Sequence, residues 1–326
     1  MALMSERNQF RLPFNPDLPP RVLCPLVEAD HMSYYVTMTC TETPFLAFQA
    51  EMPAASANGA APDVSALTRR GHLVVVRGGD GVGKTALLNR CAHWLSIKLA
   101  MRDGFHFDFT RLYENDFGDR GAVGHALRIS TNLSALAEVR LEGRPGDLVS
   151  RRFQELKELR DNDRLRMTDV IDALQFLGLV LQQTGDRGFG VLLPPATSLA
   201  EVQSYVSLVP PGVVFFAELD HYAVDGTGRI VPANDVKIVE LPIGDRLSAQ
   251  DVHAFVRDRE KRAREAGIEF VPVAADAVDR LMSALDQQIT IYQLQNSLVN
   301  ATEKALADNA DEVSYDDLDK FLFAGT

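Results

Sequence analysis

Short apolar runs and stripes of helical spacing alternate along most of the chain. Runs of β-branched and aromatic residues predict buried strands at 72–76, 188–193, 212–217 and 235–241, and the alternating run FHFDFT predicts another at 105–110. Apolar residues three and four apart predict helices at 85–99, 168–183 and 198–208, the last capped by Ser198. Strands that alternate with helices favour an α/β fold with a parallel sheet between helical layers.

The pattern changes after Pro242, where strands give way to helices. Helical stripes follow at 248–266, 274–285, 290–307 and 315–323, and Ser248 and Ser314 are suitable N-caps for two of them. A β/α block followed by an all-helical block predicts a domain boundary near residues 243–246.

The other segments are less regular and complete the predicted domain organisation. The first fifty residues are rich in proline, and residues 53–62 (PAASANGAAP) have the composition of a linker. Residues 115–166 are rich in glycine and charge, which predicts an insertion with one exposed helix. We therefore expect an N-terminal arm and linker at 1–70, an α/β domain at 71–243 and a helical domain at 244–326.

Composition narrows the classes of protein and of partner. The formal net charge of −12 disfavours broad binding to a nucleic-acid backbone, so nucleic acid is not an expected partner. No apolar run reaches 18 residues, which predicts no membrane helix. Cys24, Cys40 and Cys91 match no zinc or disulfide pattern, and residues 1–10 carry no export signal, so we expect a cytoplasmic protein.

One motif carries specific chemistry. Its residues are Gly78-Gly79-Asp80-Gly81-Val82-Gly83-Lys84-Thr85, which fit the G-x-x-x-x-G-K-[ST] phosphate loop, also called Walker A. The context that this motif requires is present, because a buried strand is predicted directly before it and an amphipathic helix directly after it. The motif therefore predicts a site for a nucleoside triphosphate.

The residue types in the loop follow from the chemistry of phosphate binding. Glycines allow a tight turn in which successive N–H groups point at phosphate oxygens, and the N-terminus of the following helix adds its dipole. Lys84 would reach the β- and γ-phosphates, and the Thr85 hydroxyl would bind Mg²⁺. The expected cofactors are therefore ATP or ADP together with Mg²⁺.

A carboxylate near the metal is also expected, and two interpretations of its position remain open. The strand at 188–193 runs into Pro194-Pro195, which offer no carboxylate, whereas the strand at 212–217 runs into Glu218 and Asp220. Either the acidic site has been lost and Glu218 is a polar sensor on a neighbouring strand, or residues 212–220 form the metal-site strand. Strand order favours the first interpretation, and Glu218 and Asp220 are the candidate catalytic residues.

The phosphate loop, the five strands and the C-terminal helices together resemble an AAA-type P-loop ATPase, closest to the STAND signalling branch. The resemblance covers about residues 65–325 and includes 241–257, which is similar to the entry into that family's helical lid. It implies a sheet of order 5-1-4-3-2, nucleotide bound between the α/β block and the lid, adenine as the base, and assembly into rings or filaments.

Two departures from this family concern hydrolysis. The resemblance places an acidic Walker B pair where Pro194-Pro195 stand, and a lid arginine near Thr290, where Thr290-Ile291-Tyr292-Gln293 supply none. The Walker B motif is therefore degenerate, and we expect weak or absent ATP hydrolysis. Arg246, just beyond the fifth strand, is the candidate lid cation.

These observations favour a nucleotide-dependent switch or assembly factor with a protein partner or self-assembly. The alternatives are an active ATPase that remodels a protein partner and, less favoured, a small-molecule kinase. Kinase lids usually interrupt the sheet, whereas here the helices follow the last strand.

Overall fold

The structure is a computed structural model that describes residues 7–11, 22–52, 64–113, 121–220, 228–232, 236–285 and 289–322. The linker predicted at 53–62 and residues 115–120 of the predicted insertion lie outside these ranges. The strands are Gly71–Gly78 (β1), His106–Arg111 (β2), Arg187–Leu192 (β3), Val213–Asp220 (β4) and Val236–Pro242 (β5).

Helices form most of the remaining described chain. A short 3₁₀ helix spans Ala29–Tyr34. The α-helices are Thr39–Glu51 (α1), Val64–Arg69 (α2), Lys84–Ala100 (α3), Gly121–Arg140 (α4), Gly143–Asp161 (α5), Met167–Thr184 (α6), Leu199–Leu208 (α7), Ala249–Glu265 (α8), Ala277–Ala284 (α9), Ile291–Asp308 (α10) and Tyr315–Leu322 (α11).

The five strands form one sheet in the order β2-β3-β4-β1-β5. Read from the other edge this is 5-1-4-3-2, so the predicted parallel α/β fold and its strand order are confirmed. β1 pairs in parallel with β5 from Gly71 opposite Val236 to Arg77 opposite Pro242. Because parallel strands end at the same edge of a sheet, the carboxyl ends of β1, β3 and β4 share one edge.

Contacts within the chain divide it into two compact units. One unit contains Met1–Phe45, Gly78–Arg90 and Ile243–Thr326, and the other contains Leu46–Arg77 and Cys91–Pro242. The sheet therefore belongs to the second unit, whose core includes Val75, Leu174, Phe189 and Phe215. The phosphate loop clusters with the C-terminal helices, whose core includes Phe255, Leu281 and Leu298.

The predicted insertion contains two helices, so the expectation of one exposed helix is wrong. α4 and α5 both join the apolar core of their unit. In α4 the buried residues Ala126, Ile129, Leu133 and Ala137 follow helical spacing. Glycines and hydroxyl residues dilute that stripe in the sequence, whereas packing against other helices stabilises it in the fold.

The N-terminal arm also has more regular structure than its prolines predict. α1 continues through Pro44, although proline removes one backbone hydrogen bond in a helix interior. Phe48, one turn later, is fully buried and packs edge-on against Trp94 at a centroid distance of 5.6 Å. This aromatic contact fixes the second half of α1 and offsets the missing bond.

His72 on β1 makes the stability of the sheet dependent on pH. The side chain is buried, and burial followed by the positive charge of Lys237 lowers its pKa from 6.5 to about 4. The unfolded chain therefore binds a proton more readily than the folded chain between pH 6.5 and pH 4. The contribution of neutral His72 to the free energy of unfolding is fully present above pH 6.5 and is lost as the pH drops towards 4.

As the pH falls from 6.5 to 4, we expect protonation of this histidine to lower the free energy of unfolding by at most about 3 kcal/mol. Urea unfolding at a series of pH values measures the slope. His72→Leu should flatten it in this window, whereas His106→Leu, at an exposed position of β2, should leave it unchanged. An unaltered slope in His72→Leu would show that other groups cause the acid sensitivity.

Candidate functional site

The predicted phosphate loop connects β1, which ends at Gly78, to α3, which begins at Lys84. Gly81 and Gly83 have φ values of +72° and +94°, in the region that residues with side chains rarely adopt. The glycines therefore let the chain reverse within a few residues and enter α3 directly. This is the local geometry that turns backbone N–H groups towards an anion.

Lys84 is folded over the loop from which it arises. Its Nζ donates hydrogen bonds to the carbonyl oxygens of Gly78 at 3.0 Å and Gly79 at 2.7 Å. The Asp80 carboxylate lies 3.7 Å from the same ammonium, but its side chain is 95% exposed, so solvent weakens this pair. The ammonium is thus held against the loop backbone, where a phosphate-binding lysine is needed.

The first turn of α10 packs against the loop within the same compact unit. Tyr292 donates its backbone N–H to the carbonyl oxygen of Gly81 at 3.0 Å. A Cβ atom on Gly81 would lie 3.0 Å from both Thr290 Oγ1 and Tyr292 Cβ, and one on Gly83 would lie 3.1 Å from Ile291 Cδ1. The close approach of α10 therefore favours glycine at position 81, and the positive φ favours glycine at both positions.

Local sequence explains why α10 begins at this point. Thr290 accepts the backbone N–H of Gln293 at 3.2 Å, and the Gln293 side chain accepts the backbone N–H of Thr290 at 3.0 Å. This reciprocal capping box satisfies two backbone donors at the helix start. The resemblance places a lid arginine in this turn, and here the turn contacts the loop without one.

A carboxylate that the sequence analysis missed also contacts the loop. Asp245, three residues beyond β5, accepts the backbone N–H of Gly79 at 2.8 Å. The neighbouring Arg246, which we predicted as the lid cation, is exposed. The only available signal was that Asp245 follows a strand adjacent to β1, and the sequence does not reveal which of two adjacent charged residues turns towards the loop.

The N-terminal arm contacts the first two turns of α3. Tyr35 donates its hydroxyl to the carbonyl oxygen of Ala86 at 2.7 Å, and Asn89 donates its side-chain amide to the carbonyl oxygen of Leu23 at 2.8 Å. Arg90 pairs with Glu42 at 2.8 Å and stacks on Phe45 at 3.8 Å. These contacts hold the arm beside the helix that leaves the phosphate loop.

Two arginines of α8 also contact this arm. Arg259 donates to the carbonyl oxygen of Tyr34 at 3.2 Å, and Arg262 donates to that of Tyr35 at 3.4 Å. Arg259 is 4% exposed, and burial together with the charge of Arg262 lowers its pKa to about 10. The buried guanidinium of Arg259 and that of Arg262 therefore hold the backbone carbonyl groups of Tyr34 and Tyr35 in place.

The candidate carboxylates lie on β4 and not on β3. Glu218 is 4% exposed, and Asp220 is the last residue of the strand. The chain after β3 continues beside β4, because Leu193 donates its N–H to the carbonyl oxygen of Phe216 at 2.8 Å and Ala196 donates to that of Glu218 at 2.9 Å. Pro194 and Pro195 therefore lie in the segment after β3 that runs beside the end of β4.

The residues of the loop fit a polyphosphate chain. Glycines in the left-handed region, a helix N-terminus and a lysine ammonium supply what such a ligand requires. In the described ranges, no group of three His, Cys, Asp or Glu residues could hold a metal ion by itself. A Mg²⁺ ion at Thr85 would take its other ligands from phosphate oxygens of the nucleotide and from water.

Neither a protein-family model nor a curated protein matches the chain. Among solved structures, the ORC2 protein of Aeropyrum pernix in its ADPNP-ADP complexes has a TM-score of 0.48 and 13% identity, covering 97% of this chain and 70% of that one. Drosophila ORC bound to DNA gives 0.47 and 11%, covering 98% of this chain and 64% of that chain. The ADP form of the Aeropyrum protein gives 0.45 and 12%, covering 80% and 67%.

With identities this low and TM-scores below 0.5, these similarities carry no argument about what this chain binds. None of the helices in the described ranges is long and apolar enough to cross a membrane.

The contact between the loop and α10 can be tested at Gly81. Gly81→Ala places a methyl group 3.0 Å from Thr290 Oγ1 and Tyr292 Cβ, and it also forces alanine to a positive φ. The backbone strain should cost about 1 kcal/mol and the steric conflict a further 1–3 kcal/mol or so. We expect lower stability in urea and faster hydrogen exchange at the Tyr292 amide.

Gly104→Ala is the matched control. Gly104 has a similar φ of +75°, but nothing lies within 4 Å of the added atom, so only the backbone strain applies. Equal losses of stability in the two variants, with unchanged exchange at Tyr292, would contradict the packing of α10 on the loop.

Proposed function

We propose that this protein is an AAA-type nucleotide-binding switch or assembly factor that binds ATP or ADP and hydrolyses ATP slowly or not at all. The observation that carries the proposal is the loop from Gly78 to Thr85. Its glycines have the required φ values, and Lys84 lies over the loop backbone. The proposed domain organisation keeps residues 71–243 as the nucleotide-binding domain and 244–326 as the lid.

The loop residues have distinct roles in this proposal. The backbone N–H groups from Asp80 to Thr85 would bind phosphate oxygens, and the Lys84 ammonium would pair with the β- and γ-phosphates. Thr85 would hold Mg²⁺, which supplies charge neutralisation between the terminal phosphates. Tyr35 would position the first turn of α3, and Arg246 keeps its proposed role as a cation of the lid.

The carboxylates decide how much hydrolysis is expected. An attacking water needs a group that can accept its proton, and leucine and proline after β3 cannot do so. Glu218 and Asp220 on β4 are the proposed catalytic residues if hydrolysis occurs. Their position on the strand beside β1 supports a role in sensing the terminal phosphate more than a full metal and base site.

The helical segment supplies the moving part of the proposed switch. Asp245 and Tyr292 are bonded to Gly79 and Gly81, so a ligand that rearranges the loop acts directly on two points of this segment. The expected coupling between nucleotide and lid is about 1–3 kcal/mol. The change would be communicated to a protein partner or to further copies of the chain.

Lys84→Ala should remove most ATP binding. A charge-assisted contact of this kind contributes about 1.5–3 kcal/mol, which corresponds to a loss of roughly 10-fold to 100-fold in affinity. Titration calorimetry measures the dissociation constant. Hydrogen exchange should also slow across 243–322 when ATP or ADP is added to the unmodified protein and stay unchanged in Lys84→Ala.

Lys98→Ala is the control for this experiment, since Lys98 lies on the same helix about 21 Å from Lys84 along the axis. It should bind ATP normally. Undiminished affinity in a folded Lys84→Ala protein would refute the phosphate-loop assignment. Protection confined to 71–110 would refute the switch while leaving nucleotide binding intact.

We expect steady-state phosphate release well below the enzyme median of about 10 s⁻¹. The reason is that no carboxylate follows β3. A phosphate-release assay with Lys84→Ala as the background measures this rate. A faster rate that is lost in Glu218→Gln or Asp220→Asn would instead support the alternative, an active ATPase that remodels a partner.

A further inference from the structure

Gly79 lies between two side chains of opposite charge. Its N–H is donated to Asp245 Oδ1 at 2.8 Å, and its carbonyl oxygen accepts Lys84 Nζ at 2.7 Å. Gly79 is buried, so without Asp245 this N–H would lose its acceptor. The carboxylate and the ammonium are thus separated by the backbone of a single residue, within a loop that is built to receive an anion.

The charged side chains that contact the loop include both signs. The contacts described above bring one ammonium, from Lys84, and two carboxylates, from Asp80 and Asp245. The first turn of α10, which packs on Gly81, carries no charge. Asp80 is 95% exposed and therefore well screened, whereas Asp245 is half-buried and directly bonded to the loop.

We propose that Asp245 is a positioning and specificity-determining residue of the nucleotide site. Its hydrogen bond fixes the Gly79 peptide, and its negative charge makes the loop discriminate between ligands by their phosphate charge. This charge disfavours ATP relative to ADP, and it disfavours the free nucleotides relative to their Mg²⁺ complexes. This inference rests on the proposed function, because it presupposes that the loop binds nucleotide.

Elementary electrostatics gives the size of the effect. ATP carries one more negative charge than ADP, and Mg²⁺ neutralises two charges of either. At a separation of about 8 Å and an effective dielectric constant of about 60, one carboxylate changes affinity about threefold for each unit of ligand charge at low salt. The effect should shrink as ionic strength rises, because exposed charges are screened over roughly 8–10 Å near physiological salt.

Asn and Ala substitutions separate the two roles of Asp245. Asp245→Asn keeps an oxygen that accepts the Gly79 N–H but removes the charge, whereas Asp245→Ala removes both. Asp245→Glu keeps the charge. Asp319→Asn makes the same chemical change at an exposed position of α11, away from the described contacts of the loop.

The experiment measures dissociation constants for ATP and ADP, with and without MgCl₂, at low and high salt. In Asp245→Asn we expect ATP to gain about threefold in affinity relative to ADP at low salt, with or without Mg²⁺, and each free nucleotide to gain about tenfold relative to its Mg²⁺ complex. Asp245→Glu and Asp319→Asn should keep the unmodified ratio. Asp245→Ala should bind both nucleotides more weakly than Asp245→Asn does, and it should accelerate exchange of the Gly79 amide.

The outcomes separate this inference from the proposed function. If the unmodified protein binds neither nucleotide, the proposed function fails and this inference fails with it. If the unmodified protein binds both and the ATP-to-ADP ratio in Asp245→Asn does not change, the charge-selection inference alone is overturned. If Asp245→Asn does not fold, a change of ratio in the charge-retaining Asp245→Glu overturns the inference, and an unmodified, salt-sensitive ratio supports it.

Discussion

The hydrogen bonds to the backbone of Gly79 and Gly81 are the interactions on which the proposed site depends. Asp245 accepts the N–H of Gly79, and Tyr292 donates its N–H to the carbonyl oxygen of Gly81. Glycine is needed at position 81 both for its positive φ and for the approach of α10. The loop is thereby bonded at two points to the helical segment that follows the sheet, so loop geometry and helix position depend on each other.

The N-terminal arm adds a second constraint within the same unit. Tyr35 contacts the first turn of α3 through its hydroxyl, while Arg262 of α8 holds its carbonyl oxygen and Arg259 holds that of Tyr34. Burying the Arg259 guanidinium is unfavourable, as its lowered pKa indicates. The arm is therefore held at a defined place beside the phosphate-loop helix, and a purely apolar contact would fix it less specifically.

The carboxylates considered for this site lie in two places, beside the phosphate loop and on β4. Asp80 and Asp245 contact residues of the loop, so their negative charges would affect which anions the loop binds. Glu218 and Asp220 lie on β4, and the chain after β3 supplies prolines. Lys84 and Thr85 are present in the phosphate loop, and no acidic residue directly follows β3, which is why the proposed function combines nucleotide binding with slow hydrolysis.

The sequence by itself determined the strands, their parallel arrangement, the phosphate loop and the capped helix starts at Ser198, Ser248 and Ser314. Each of these depends on residues a few positions apart, whose propensities and hydrogen bonds act locally. Tertiary structure alone decided that Asp245 is bonded to the loop, across 166 positions of chain. It also decided that α4 and the proline-containing α1 are helices. These outcomes depend on distant packing partners, and a local pattern contains no information about which distant surface will cover it.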